Sequence, residues 1–230
     1  MMQTDQNAAP LNPLPVVVWL LALPIIAMEA VLNLASAGLI GGATGIGWRQ
    51  DAVQRFAFSP DFILEMMTSS YYPPEQLMRL VTYPLVHLSF THAIFVVVFL
   101  LALGKMVGEV FRPWAVLAVF FGATLAGSAA FTALPFIHTG LIGGYPAVYG
   151  LIGAFTFLLW TNLAGTGTSQ YRAFSLIGAL MGIQLIFGVV FGGGWDWVAE
   201  LAGFFAGFFL SFVVSPGGWS KVREKIRQRG

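Results

Sequence analysis

Apolar residues run along this chain in six long stretches, roughly 14–41, 84–108, 114–134, 146–164, 173–191 and 196–214. Each is long enough, or nearly so, to carry a helix across ~30 Å of hydrocarbon. The pattern predicts an all-α, polytopic membrane protein. Its helical domain covers 14–214, between an N-terminal segment 1–13 and a tail 215–230. The longest connection, roughly 42–80, is polar, with Trp48, Arg49, Asp51, Arg55, Asp61, Glu65, Glu75 and Arg79. It also carries the breakers Pro60, Pro73 and Pro74. A connection of that length is functional or locally structured. The remaining connections are short. Pro146 marks the start of the fourth helix, where a missing N–H costs nothing.

Composition strengthens the membrane assignment. Of 230 residues 57% are hydrophobic and only 9% charged, against about 25% charged in a soluble domain. Without cysteine there is no disulfide, thiolate metal site or cysteine nucleophile. A net charge of +1 predicts no nucleic-acid partner. Met1 to Pro13 hold no Lys or Arg, so the charged start of a secretory signal is not expected there. Lys221, Arg223, Lys225, Arg227 and Arg229 form the densest basic cluster. The positive-inside rule puts that tail, and after six crossings the N-terminus, in the cytoplasm. A bacterial inner membrane is the expected location. The tail serves as a topological anchor or, alternatively, binds anionic lipid.

Several residues stand out against the apolar background. Gly178 and Gly182, and again Gly203 and Gly207, have the four-residue spacing that lets helices approach closely; packing within the bundle is favoured over dimerisation. Glu29 and Asn33 share a face of the first helix and either line a polar cleft or bond to a neighbouring helix. Gln184 lies midway along the fifth. Trp195, Asp196 and Trp197 are interface aromatics around a helix N-terminal acid, and His138 is expected as a solvated or interfacial residue and not as a ligand. His87 and His92, five apart, would point about 140° apart on one helix. They do not match the i, i+4 metal pair, so neither a metal nor a cofactor is expected.

The stretch Gly143-Gly144-Tyr145-Pro146 opens the fourth apolar helix. Upstream, Arg79 precedes His87, then His92, then Val96 at four-residue spacing, and Gly104 and Glu109 follow. Downstream, Glu200-Leu-Ala-Gly203 precedes Gly207. Together, over roughly 75–214, these segments resemble the rhomboid intramembrane proteases, whose motifs read Trp-Arg, His-x4-His-x3-Asn, Gly-x-Ser-Gly and His-x2-Gly-x3-Gly. The resemblance implies a six-helix rhomboid-like bundle. It places the nucleophile position on Tyr145, the general-base position on Glu200 and an oxyanion-donor position on Val96, with His92 retained. Met78 and Pro146 also depart from the pattern.

Such a set implies a pseudoprotease without the Ser–His dyad. The expected bond is from the Tyr145 hydroxyl to the Glu200 carboxyl, joining the fourth and sixth helices. Tyr145, Glu200, His87, His92 and Gln184 become candidate binding residues. The expected function is to hold transmembrane segments of partner membrane proteins, as adaptor, quality-control factor or accessory subunit of a larger membrane complex. The alternative is a membrane enzyme with altered chemistry using Tyr145, Glu200 and His92. A small transporter is disfavoured, since no inverted repeat is visible.

Overall fold

The computed structural model describes residues 13–164, 166, 168–191 and 194–217, without the side chains of 184, 185 and 187–191. The described residues form ten α-helices: α1 (Val16–Ser36), α2 (Gly42–Gly45), α3 (Trp48–Phe56), α4 (Pro60–Ser69), α5 (Pro74–Thr82), α6 (Phe90–Gly108), α7 (Pro113–Ala133), α8 (Tyr145–Ala164), α9 (Ser175–Phe191) and α10 (Asp196–Val214). Five of them, α1, α6, α7, α8 and α10, are long and apolar enough to cross a membrane. The expected fifth crossing is α9, whose 17 residues sit at the short end of the ~17–25 that span a bilayer. The long first connection is locally structured, being built from α2 to α5.

The second apolar stretch starts its helix later than expected, at Phe90 and not at 84. Pro84 lies in a 3-10 turn, Tyr83–Leu85, after which Val86 is extended. The helix begins where Ser89 can cap it, its hydroxyl accepting from the His92 N–H at 3.2 Å. His87 therefore precedes the helix, and the 140° separation assumed for the two histidines does not apply.

Helix α8 occupies the centre, packed against α6, α7 and α10, while α1 lies on α6. Lipid gives helices no hydrophobic reason to associate, so contact depends on close packing. The α8–α10 crossing shows this. A Cβ on Gly207 would fall on the Gly150 carbonyl, one on Gly203 on the Pro146 carbonyl, and one on Gly153 on the Phe204 carbonyl. Gly203 and Gly207 thus pack internally as expected. Gly178 and Gly182 do not: a Cβ at either meets nothing within 4 Å, because α9 packs mainly on the 3-10 turn Gln170–Phe174.

A second, smaller core joins the first connection to the α7–α8 loop through Phe58, Tyr83, Phe131, Ile137, Leu141 and Ala199. Phe58 and Leu141 exchange backbone hydrogen bonds of 3.0 and 2.8 Å. The Tyr83 hydroxyl donates to the Thr124 carbonyl at 2.8 Å, and the Gly143 N–H to the Tyr83 carbonyl at 3.0 Å.

Candidate functional site

Helices α8 and α10 begin at the same end of the bundle, beside the N-terminus of α6. Between them lies a cavity of about 370 Å³ lined by His92, Tyr145, Asp196 and Glu200 together with Leu88, Gly140, Leu141, Ile142 and Pro146. Tyr145 is the first residue of α8, and its ring stacks on His92 with centroids 4.9 Å apart and planes 16° from parallel. His92 in turn meets His87 edge to face, again at 4.9 Å. The chain reaches this arrangement through Gly143, whose φ of +94° suits glycine. A Cβ there would fall 2.5 Å from His92 Cε1.

The bond expected from Tyr145 to Glu200 comes instead from Tyr149, whose hydroxyl is hydrogen-bonded to the Glu200 carboxyl. Sequence reading missed Tyr149; its place one helical turn beyond Tyr145, on the same face, is the signal that points to it. Glu200 is 3% exposed, on the floor of the cavity; Asp196, one turn earlier on α10, is exposed at its mouth. Val96 is fully buried and presents two methyl groups, one of which would lie 2.7 Å from a Cβ placed on Gly144. Gln184 falls on a side chain outside the described residues.

His87 is a structural hub. Its Nε2 accepts from the Gly144 N–H at 3.2 Å, fixing the loop that delivers Tyr145. Burial first, then neighbouring His92 and Arg49, push its imidazole down to about 3, so it is neutral and carries its proton on Nδ1. Its carbonyl is held by Arg49 Nη1 at 3.0 Å.

Arg49 is a residue that sequence reasoning passed over. From α3 it reaches Glu29 on α1 in a two-pronged pair, Nη2 to Oε1 at 2.6 Å and Nη1 to Oε2 at 3.1 Å. Asn33 Nδ2 adds a bond to Glu29 Oε1 at 2.7 Å. Glu29 and Asn33 are therefore a bundle anchor for the first connection. The available signal was an acid inside a span, which demands a partner, with three arginines in the adjoining loop.

Arg79 closes the carboxyl end of α3. Its guanidinium donates to the carbonyls of Gln54 and Ala57 at 2.8 and 2.9 Å and lies over the Phe62 ring at 4.9 Å. His138 pairs with Asp61 at 3.2 Å on the surface. Among the described residues no three His, Asp or Glu side chains gather as metal ligands.

Chemically, the cavity presents a phenol stacked on an imidazole, and two carboxylates one turn apart. Among the described residues, Tyr145 is the only hydroxyl side chain in its lining. No curated protein matches the chain. The rhomboid domain family model matches residues 74–217, from the first residue of α5 to just beyond α10. That match covers more than half of the sequence, and the helices it covers are those that build the cavity: the chain belongs to the rhomboid family.

Proposed function

We propose that this rhomboid-family membrane protein does not cut peptide bonds and instead binds membrane-spanning segments of partner proteins. The observation that carries the reading is the occupant of the nucleophile position. Amide hydrolysis needs a hydroxyl or thiol with a base in hydrogen-bond reach, and donors for the oxyanion. Tyr145 has its ring stacked on His92, and a phenol carries its oxygen several bond lengths beyond a serine's. A displacement of ~1 Å already costs about 100-fold. At the base position, Glu200 is engaged by Tyr149, which does not line the cavity. Val96 supplies no donor at its position, and one missing oxyanion donor costs roughly 100- to 1000-fold. Nucleophile, base and donor positions are altered together, which favours binding over an enzyme of altered chemistry.

The protein is reconstituted in liposomes and offered transmembrane peptides and a fluorophosphonate probe. Neither cleavage nor labelling is expected. Cleavage that disappears in Tyr145→Phe or Glu200→Gln would overturn the reading in favour of the altered enzyme. Affinity capture of the full chain from native membrane tests the binding half. One stoichiometric complex identifies an accessory subunit, many short-lived clients identify quality control, and no captured membrane protein rejects the proposal. The same reading places the chain in a bacterial inner membrane with both termini in the cytoplasm. A reporter active only outside the cytoplasm, fused to the tail, is expected to stay silent.

A further inference from the structure

The cavity beside Tyr145 has a charge pattern that selects its occupant. Two carboxylates face it, Asp196 at the mouth and Glu200 on the floor, and among the described residues no Lys or Arg lines it. Arg49 on α3 does not compensate them, since it is committed to Glu29 and to the His87 carbonyl. Tyr149 occupies one acceptor position of Glu200, and a carboxylate offers about four. Tyr145 and His92, stacked on one another, line the same cavity, and an aromatic ring attracts cations. The site is also short of partners: Nε2 of His92, a lining residue, is buried without a hydrogen bond. An anion or a neutral acceptor fits such a lining badly; a donor-rich cation fits it.

Resting on the proposal that partner segments bind here, we infer that the cavity formed by His92, Tyr145, Asp196 and Glu200 accepts a basic side chain, lysine or arginine, from a partner's membrane-spanning segment. The cavity opens where α8 and α10 begin. The recognised residue therefore lies near the segment end that faces the first connection. A Lys or Arg inside a span is expensive to hold in lipid. A segment carrying one gains most from an acid-lined seat, and that gives selectivity for segments that are imperfectly apolar.

The test uses the full chain in lipid nanodiscs and two labelled membrane-spanning peptides. They differ only in one lysine, placed a turn inside that end, against norleucine of the same length. Energy transfer reads binding. The lysine peptide is expected to bind at least about tenfold tighter, from one or two charge-assisted hydrogen bonds. Glu200→Gln removes the preference for lysine over norleucine and Asp196→Asn reduces it. Asp196, at the exposed mouth, keeps the test valid should Glu200→Gln fail to fold. Equal binding of the two peptides by the wild type overturns the inference, as does a preference that survives both substitutions. A preference abolished by phosphatidylethanolamine in the nanodisc assigns the seat to a lipid ammonium and overturns the partner assignment. If neither peptide binds, the partner-binding proposal itself falls, and the inference with it.

Discussion

Removing one member of the Glu29–Arg49 pair should destabilise the fold far more than removing both. Glu29→Gln leaves the Arg49 guanidinium, 18% exposed in its side chain, facing a neutral amide. It forfeits the charge on both of its contacts, at 2.6 and 3.1 Å. Breaking a buried pair from one side costs about 3–5 kcal/mol. The residual exposure of Arg49 puts the expected loss near the low end, about 3 kcal/mol, or roughly a 150-fold drop in the folded-to-unfolded ratio. Arg49→Met strands the carboxylate with only Asn33 Nδ2, at 2.7 Å, and a loss of similar size is expected. The double variant Glu29→Gln with Arg49→Met strands no charge. Its cost is about 1 kcal/mol, for the lost bond to the His87 carbonyl. Unfolding in detergent micelles by SDS titration, followed by circular dichroism, gives all three values. Additivity of the two single losses within about 0.5 kcal/mol would show that the side chains do not depend on one another, and would refute the anchor.

The neutral, buried His87 makes stability depend on acid. Its imidazole sits at about 3 when folded, below ~6.5 when unfolded. The contribution is therefore complete above about pH 6.5 and shrinks as pH falls towards 3, by up to about 1.4 kcal/mol per unit. Melting temperatures between pH 7 and 5 should fall less steeply in His87→Gln, which keeps an acceptor for Gly144; an unchanged slope rejects the assignment. Gly207→Ala drives a methyl into the Gly150 carbonyl and should cost more than about 3 kcal/mol or prevent accumulation. Gly182→Ala, with open space around it, should stay within about 0.5 kcal/mol, and equal effects would contradict the α8–α10 crossing. Tyr83→Phe removes the donor to the Thr124 carbonyl and should cost about 1–3 kcal/mol, read by the same SDS titration; a neutral outcome means that water replaces the hydroxyl.

The bundle was legible because lipid imposes a strong pattern: a spanning helix must be apolar over most of its length, and Pro113, Pro146 and Asp196 sit in first turns where helix starts favour them. The site was legible in part. Motif spacing led to Tyr145, His92 and Glu200, and the fold brings all three to one cavity. What spacing could not rank was Tyr149 against Tyr145, because residues a turn apart face the same neighbour and only the crossing angle of α8 and α10 decides between them. It could not place His87 off the helix either, since the effect of Pro84 depends on whether Ser89 caps the next turn. Arg49 escaped for a different reason. Its partner is on another element, and charge pairing across a connection leaves no periodic trace in sequence. Gly178 and Gly182 carry the same spacing as Gly203 and Gly207, yet only the second pair meets a neighbour.

The bridge between Phe58 and Leu141 joins segments separated in the chain by all of α6 and α7. A ribosome finishes both of those spans before Leu141 exists. The first connection must therefore wait on the membrane surface with its Phe58 backbone groups still bound to water. Its docking is tied to the arrival of the α7–α8 loop, and so is the delivery of Gly143 and Tyr145 to the histidines. Assembly of this face is scheduled by translation: the pocket closes only once its own rim has been synthesised.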